Sequence, residues 1–578
     1  MASNQFIRLI KCVPLRNTLD SYNWPFFNSD IFAGIITAIL LIPQGMAYAL
    51  LAGLPVEVGI YSSLLPAVIY AIFGTSRILS VGPVSIAAIM VASALSSPEI
   101  MALGTSTQNA LLLALEGGVI LCLMSAFKMG SLVNYISQPV LSGFTSGAAI
   151  IIIWSQLPNI LGIHVESCTD ALSCFQQSYK NFNIYEMWLG LMALITIALM
   201  GKPFSKFLIK AGVNETLRTG ISKSAPLLSV ILGILFVTGL ALDTNHNVAV
   251  VGSIPEGLPS INFNFMNVSI AHLIALLPSA FFISLIAYVE SVAIAKVIAT
   301  KRNEKINPNQ ELIALGTANI ASSISGGMPV AGGFSRTMVN LSAGAQSQIA
   351  MLVAVLIISL VIVTITSTLE AIPKAILAAI IILAVSPLIE IKKLISVWRE
   401  DKSDGISQIL TLCGVLVFGI EEGIMLGVVV TIFCHLRRSG NPHIAVVGRI
   451  KNTEHFRNVK RHRVETWKDL LFIRIDENIT FANINYISDF IEKEAIKNQP
   501  KHIVLIFSSV SYIDTTAIIY FRQLINNLKK QHVSINLSEV KGPVIDKLDK
   551  IDFFKELLPG RVFFKTTDAV NTFTKLTD

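Results

Sequence analysis

The chain has 578 residues, 53% of them hydrophobic and only 14% charged, and its mean hydropathy is +0.66. Such a composition excludes an ordinary soluble globular protein and places most of the chain in lipid. The net charge of +7 fits basic loops at a membrane surface, so no nucleic-acid partner is expected.

Residues 1–30 read as a polar cytosolic segment with Arg8, Lys11 and Arg16 and without the short apolar core of a cleavable signal peptide. A transmembrane part is expected over 31–437. Within it, apolar stretches of ~20 residues, enough to cross a bilayer, begin near Ile31, Pro55, Ala110, Gly143, Met187, Ala225, Ala271, Leu312, Ile349, Ile372, Ile406 and Ile424. Two further stretches, near Pro83 and Gly333, are too short to span alone. Together these make fourteen segments, an even number that puts both termini on one side. Loops of one face carry Arg77, Lys128, Lys202, Lys301, Arg302, Lys392 and Arg399, whereas the opposite loops offer little beyond Lys180 and Lys374. By the positive-inside rule both termini are expected in the cytoplasm of a multi-pass protein, with a bacterial inner membrane as the expected setting.

Cysteines do not indicate a zinc site: Cys12, Cys122, Cys168, Cys174, Cys413 and Cys434 contain no CxxC pair and no accompanying histidine cluster. No metal or cofactor is expected. Cys168 and Cys174 share one polar outer loop, where a disulfide and two reduced thiols stand as alternatives.

The short segments carry the strongest functional signal. Ser80-Val-Gly-Pro-Val-Ser85 and Gly326-Gly-Met-Pro-Val-Ala-Gly-Gly-Phe-Ser-Arg336 each open the third segment of a set of seven. Gly- and Pro-punctuated short segments at matching places in two halves point to a transporter built of repeats, and an odd repeat length requires the second copy to be inverted. A half-helix starting in mid-membrane presents unpaired N–H groups and a partial positive charge, which suits a small inorganic or organic anion. Ser85 and Ser335 add hydroxyl donors at those starts, though small residues there also serve close helix packing. Gln44 and Tyr48, one helical turn apart, are polar candidates on the first segment, with interhelical hydrogen bonding as the alternative role.

Arg336 puts a full charge at membrane depth at a cost of ~2.5–3.5 kcal/mol or more, so it requires an anionic partner. Glu290 is the expected partner when substrate is absent. It is also the candidate proton-coupling group, because burial favours its neutral form and a nearby arginine its charged form. A purely structural Arg336–Glu290 ion pair is the alternative. The Gly-rich run at 326–333 is not a nucleotide loop, since it lacks the GxxxxGK[ST] lysine.

At these residues the sequence resembles the sulfate permease (SulP) family. The resemblance rests on Ile42-Pro-Gln-Gly-Met-Ala-Tyr-Ala49, Gly82-Pro-Val-Ser85, Glu290-Ser291, Asn307-Pro-Asn-Gln-Glu-Leu312 and Gly333-Phe-Ser-Arg-Thr337, and it runs nearly end to end. It implies a polytopic α-helical fold of 14 segments in 7+7 inverted repeats, with a mobile core and a static gate domain, elevator-like movement and a homodimer in the lipid bilayer. It further implies an anion between the third and tenth segments, held by Gln44, Tyr48, Ser85, Ser335 and Arg336, with Glu290 linked to protons. The implied function is secondary active transport of sulfate or a similar oxyanion by proton symport. Alternatives are a bicarbonate or dicarboxylate carrier, with sodium as an alternative coupling ion to protons, and an uncoupled exchanger or channel. No enzymatic activity is expected.

Charge density rises after residue 437. Residues 438–465 read as a linker and 466–578 as a cytosolic α/β domain, with strands at Leu471–Ile475 and His502–Phe507 around a helix near 484–495. A helix opens at Asp514-Thr-Thr-Ala517, where Asp and Thr suit an N-cap. This layout resembles a STAS domain, whose relatives carry Asp-Ser-Ser-Gly or Asp-Ser-Thr-Gly at that turn; here the residues are Thr515, Thr516 and Ala517. The resemblance makes Thr515 and Thr516 candidate regulatory phosphorylation sites, with plain capping as the alternative, and implies a cytosolic partner for the domain. No catalytic constellation occurs in it.

Overall fold

The computed structural model describes residues 14–15, 22–134, 137–163, 182–210, 221, 224–255, 257–261 and 263–574. Cys12, Cys168, Cys174 and Lys180 lie outside the described residues, as does the loop disulfide question. The chain divides into two compact units, Met1–Val428 and Val429–Asp578.

The first unit is helical. It runs through α1 (Trp24–Leu51), α2 (Val56–Tyr61), α3 (Leu65–Phe73), strand β1 (Val81–Gly82), α4 (Ser85–Leu95), α5 (Ser106–Ala126), α6 (Gln138–Leu161), α7 (Ile184–Met200), α8 (Lys202–Lys210) and α9 (Ala225–Leu240). The second half follows as α10 (Ile270–Arg302), α11 (Pro308–Ile324), strand β2 (Ala331–Gly332), α12 (Phe334–Ser342), α13 (Ile349–Thr364), α14 (Lys374–Val385), α15 (Ile391–Glu400) and α16 (Lys402–Phe418), and the boundary with the second unit falls within α17 (Ile420–Gly440). Among the described residues of this unit, six stretches are long and apolar enough to cross a membrane.

These helices form two groups. In one, α1 packs on α13 and α12, while α11 packs on α3 and α5. Glycines set the closest approach: a Cβ on Gly118 would lie 2.6 Å from the Gly316 carbonyl oxygen, and one on Gly316 would lie 2.8 Å from that of Gly118. α5 and α11 therefore touch backbone to backbone, as small residues permit in membranes. In the other group α6 packs on α16 and α14, and α7 on α14 and α9; a Cβ on Gly143 would stand 2.3 Å from the Gln408 carbonyl oxygen.

Two half-helices interrupt the first group. α4 has eleven residues and α12 nine, far short of the ~30 Å hydrocarbon core at 1.5 Å per residue. Their lead-in strands meet: Val81 faces Gly332 and Gly82 faces Ala331 in an antiparallel pair. Antiparallel pairing of equivalent strands is what two inverted copies produce. Buried carboxylates hold the flanks of this core. Asp30 accepts from the Gln346 and Ser347 amides, the Ser347 hydroxyl and the Tyr22 hydroxyl. Glu311 accepts from the Tyr70 hydroxyl at 2.8 Å and from the Thr75 and Ser76 amides.

The second unit holds a six-stranded sheet in the order β4-β3-β5-β6-β7-β8. Its strands are β3 (Ile444–Arg449), β4 (Phe456–Asn458), β5 (Leu470–Ile475), β6 (His502–Ile506), β7 (Ser534–Ser538) and β8 (Val562–Phe563). β5 to β8 run parallel, and β3 pairs antiparallel with both β5 and β4. Residues 438–465, expected to be a linker, thus supply two strands of the sheet. Their charge density conceals a period-2 pattern in which Ala445 and Val447 point into the core. Helices α18 (Ile484–Asn498) and α19 (Thr515–Lys530) pack their apolar faces together. Asp514 caps α19, accepting from the Ala517 amide at 2.7 Å, and leaves Thr515 and Thr516 exposed in the first turn.

Candidate functional site

The half-helices owe their position to glycine, proline and short polar bridges. Ser291 on α10 accepts from the Gly332 amide at 2.8 Å and donates to the Ala287 carbonyl. Thr337 accepts from the Ser80 amide at 3.0 Å while donating to the Gly333 carbonyl at 2.7 Å. The Gly333 amide bonds to the Ser80 carbonyl at 2.9 Å. Together these clamp β1 and β2 against α10 and aim the N-termini of α4 and α12 at a common space. Neither helix start has a side-chain cap, so their first N–H groups remain available to a ligand.

That space is a cavity of about 420 Å³. Gln44 and Tyr48 from α1, Ser85 from α4, Glu290 from α10, and Ser335 and Arg336 from α12 all line it. The six residues singled out in the sequence, scattered over nearly 300 positions, therefore meet at one place. Gln44, Tyr48 and Arg336 are buried, at 4%, 6% and 2% exposure, whereas Ser335 is open to the cavity. Val84 and Phe334, named in the sequence only as part of the short-segment motifs, add apolar surface to this side. The facing wall is apolar and comes from the second helix group: Ile197, Ala225, Pro226, Ile380, Leu383 and Leu388.

Arg336 is held differently from expectation. Its Nη1 donates to the Pro83 carbonyl at 2.6 Å, and its Nε and Nη2 are buried without a hydrogen-bond partner. No ion pair with Glu290 forms, and Glu290 Oε2 is itself buried and unpartnered, as is Gln44 Oε1. The Pro83 carbonyl can take one nitrogen because Pro83 lies between β1 and α4, ahead of the Ala88 amide to Val84 carbonyl bond at the start of the helix. Gly333 makes the fold-back feasible, since a Cβ there would lie 2.8 Å from the guanidinium carbon. The site thus holds a full positive charge with two idle donors, two half-helix starts, hydroxyls, and one carboxyl that can take or release a proton. An oxyanion matches the donors, for a guanidinium binds such groups through paired N–H bonds.

Ser291 and Thr337 stood inside the motifs quoted above, but their bridging roles depend on strands that no local pattern announces. Glu311 also stood inside a quoted motif, Asn307–Leu312, without its anchoring role being visible there, and Asp30 gave no clear sign in the sequence. Among the described residues, no group of three or more His, Cys, Asp or Glu is placed to hold a metal ion.

Comparison with known proteins agrees with this geometry. The Sulfate permease family profile matches residues 27–411 and the STAS domain profile residues 461–570. Sulfate transporter 4.1, chloroplastic, of Arabidopsis thaliana is 34% identical over 543 residues, covering 91% of this chain and 77% of that protein. High affinity sulfate transporter 2 of Stylosanthes hamata is 30% identical, covering 96% and 85% respectively. Among solved structures, the murine Solute Carrier 26 family member A9 anion transporter in the inward-facing state superposes with a TM-score of 0.87 at 22% identity, over 98% of this chain and 94% of that one. The transmembrane domain of a cyanobacterium bicarbonate transporter, BicA, gives 0.59 at 19% identity, over 71% of this chain and 98% of that one. With a polytopic helical unit, crossed half-helices and a C-terminal STAS domain, this chain belongs to the sulfate permease family of membrane transporters.

Proposed function

We propose that the protein is a secondary active transporter of sulfate or a similar small oxyanion, driven by protons taken up on Glu290. The observation that carries this reading is Arg336, buried in the cavity with Nε and Nη2 unpartnered between two uncapped half-helix N-termini. A buried charge with idle donors is costly unless an anion completes it. Glu290 lines the same cavity, so a proton there removes a negative charge beside the anion and binding of the two becomes mutually favourable. Gln44, Tyr48, Ser85 and Ser335 supply the remaining polar contacts.

The two walls support an elevator-type movement. All six polar residues belong to one helix group, while the facing wall is smooth and apolar, so the first group can slide with its anion without breaking polar bonds to the second. We further place both termini in the cytoplasm of a bacterial inner membrane, whose inward proton gradient suits such coupling, and read the working form as a homodimer. On the STAS domain, exposed Thr515 and Thr516 lie at a helix N-terminus, where a phosphate is stabilised by the helix dipole and offers a cytosolic partner a charged mark.

Sulfate uptake into proteoliposomes under an inward proton gradient tests this reading, with wild type compared to Glu290→Gln. Uptake driven by the gradient in wild type and indifferent to it in the variant supports proton symport. Uptake that follows a sodium gradient or bicarbonate instead would move the assignment to a carrier of that kind, and flux that follows voltage alone would make the protein an uncoupled pathway.

A further inference from the structure

The apolar wall of the cavity leads directly into two amphipathic helices. α7 contributes Ile197 and the residue after its end, Gly201, and α8 begins at the next position, Lys202. α14 and the turn that follows contribute Leu383, Ala384, Pro387 and Leu388, and α15 begins at Ile391. Both helices therefore start from the mouth of the same cavity, where apolar spans leave the bilayer.

In α15, Ile391, Leu394, Ile395 and Trp398 recur at the i, i+3, i+4, i+7 spacing of one helix face. None of its ten residues is buried in the protein; Ile391, Ile395 and Trp398 are 65%, 48% and 43% exposed. Charge is distributed around that face. Lys393 pairs with Glu390 at 2.9 Å, and Glu400 accepts from Ser396 Oγ at 2.7 Å. Asp401, just past the helix, caps α16 through the Ser403 amide at 2.8 Å. Among the described residues Lys392 and Arg399 have no hydrogen-bond or ion-pair partner; seven positions apart, they flank one edge of the apolar face. α8 has the same character, with Phe207 and Ile209 exposed and Lys210 in its last turn.

An apolar face beside a bilayer, edged by two uncommitted cations, fits one occupant better than a protein surface. We propose that α15 lies in the membrane interface, with its apolar face among the acyl chains and with Lys392 and Arg399 on the phosphates of acidic phospholipids. Acidic lipid thereby tethers the apolar wall of the cavity, two residues of which end just before this helix, to the bilayer surface. The lipid contact stands by itself; its consequence for transport rests on the functional reading above.

The test uses the full chain in phosphatidylcholine vesicles containing a fixed minority of phosphatidylglycerol, with brominated acyl chains placed on one lipid or the other. The Trp398 signal is the fluorescence difference between wild type and Trp398→Phe. Each cation at the surface should enrich acidic lipid roughly fivefold, so brominated phosphatidylglycerol should quench Trp398 severalfold more effectively than the same amount of brominated phosphatidylcholine. Lys392→Gln combined with Arg399→Gln should remove that preference and, in the same vesicles, the rise of sulfate uptake with phosphatidylglycerol content. Equal quenching by the two lipids in wild type, or a preference that survives the double substitution, overturns the proposal. Absence of quenching by either lipid also overturns it, because the face would then be covered by protein. If no lipid composition supports uptake, the transport reading fails while the quenching still decides the lipid contact.

Discussion

Arg336 sits at 2% exposure with one hydrogen bond to Pro83 and two nitrogens idle, and the proposed anion site rests on that imbalance. Replacing it with alanine removes the charge the cavity was built around, and sulfate uptake should fall about a hundredfold or more, with the protein still inserting. Arg336→Lys keeps the charge but loses the paired donors, so transport should stay well below wild type. Gly333→Ala would put a methyl group 2.8 Å from the guanidinium carbon; displacing the side chain should weaken sulfate binding about tenfold. Wild-type affinity in that variant would mean that the fold-back of Arg336 is incidental. Arginine and glutamate at membrane depth were legible in the sequence because such groups are too costly to be casual. Their separation was not, since the Pro83 carbonyl reaches Arg336 only after β1 and β2 have paired.

At the scale of elements, the long spanning helices were legible from apolar length, and the half-helices from their glycines and prolines. The charge-rich stretch at 438–465 was not, because β4 is only three residues long and pairs with β3 alone, while the other partner of β3 is β5, beyond a loop. The N-cap at Asp514 was visible, and it does more than cap: its second oxygen accepts from the Phe481 amide at 2.6 Å. Asp514→Ala should therefore destabilise the STAS domain by about 1 kcal/mol or somewhat more, measured by denaturant unfolding of the full chain in detergent. Just past the end of β5, burial alone would raise the Asp476 carboxyl. Hydrogen bonds from Arg474 and His443 outweigh it and hold the group below its ordinary range. A carboxyl lowered in the folded state contributes stability above its unfolded pKa of ~3.9 and loses it as pH falls through the folded value. Asp476→Asn should therefore remove part of the domain's loss of stability on acidification below about pH 4; an unchanged acid limb would contradict the role given to this trio.

At the scale of the whole molecule, two helix groups share one cavity, polar on one side and apolar on the other, and the proposed elevator-type movement rests on this division. Sequence patterns identified the parts but not the division, since grouping depends on contacts such as Gly118 with Gly316 and Gly143 with Gln408, each between helices far apart in the chain. The central claim is that an oxyanion binds where Arg336 and the two half-helix starts converge. Equilibrium binding of radiolabelled sulfate to the purified full chain, wild type against Arg336→Ala, tests it most directly. Saturable binding in wild type that is lost in a folded, monodisperse variant is the expected result; undiminished binding by Arg336→Ala would contradict the account.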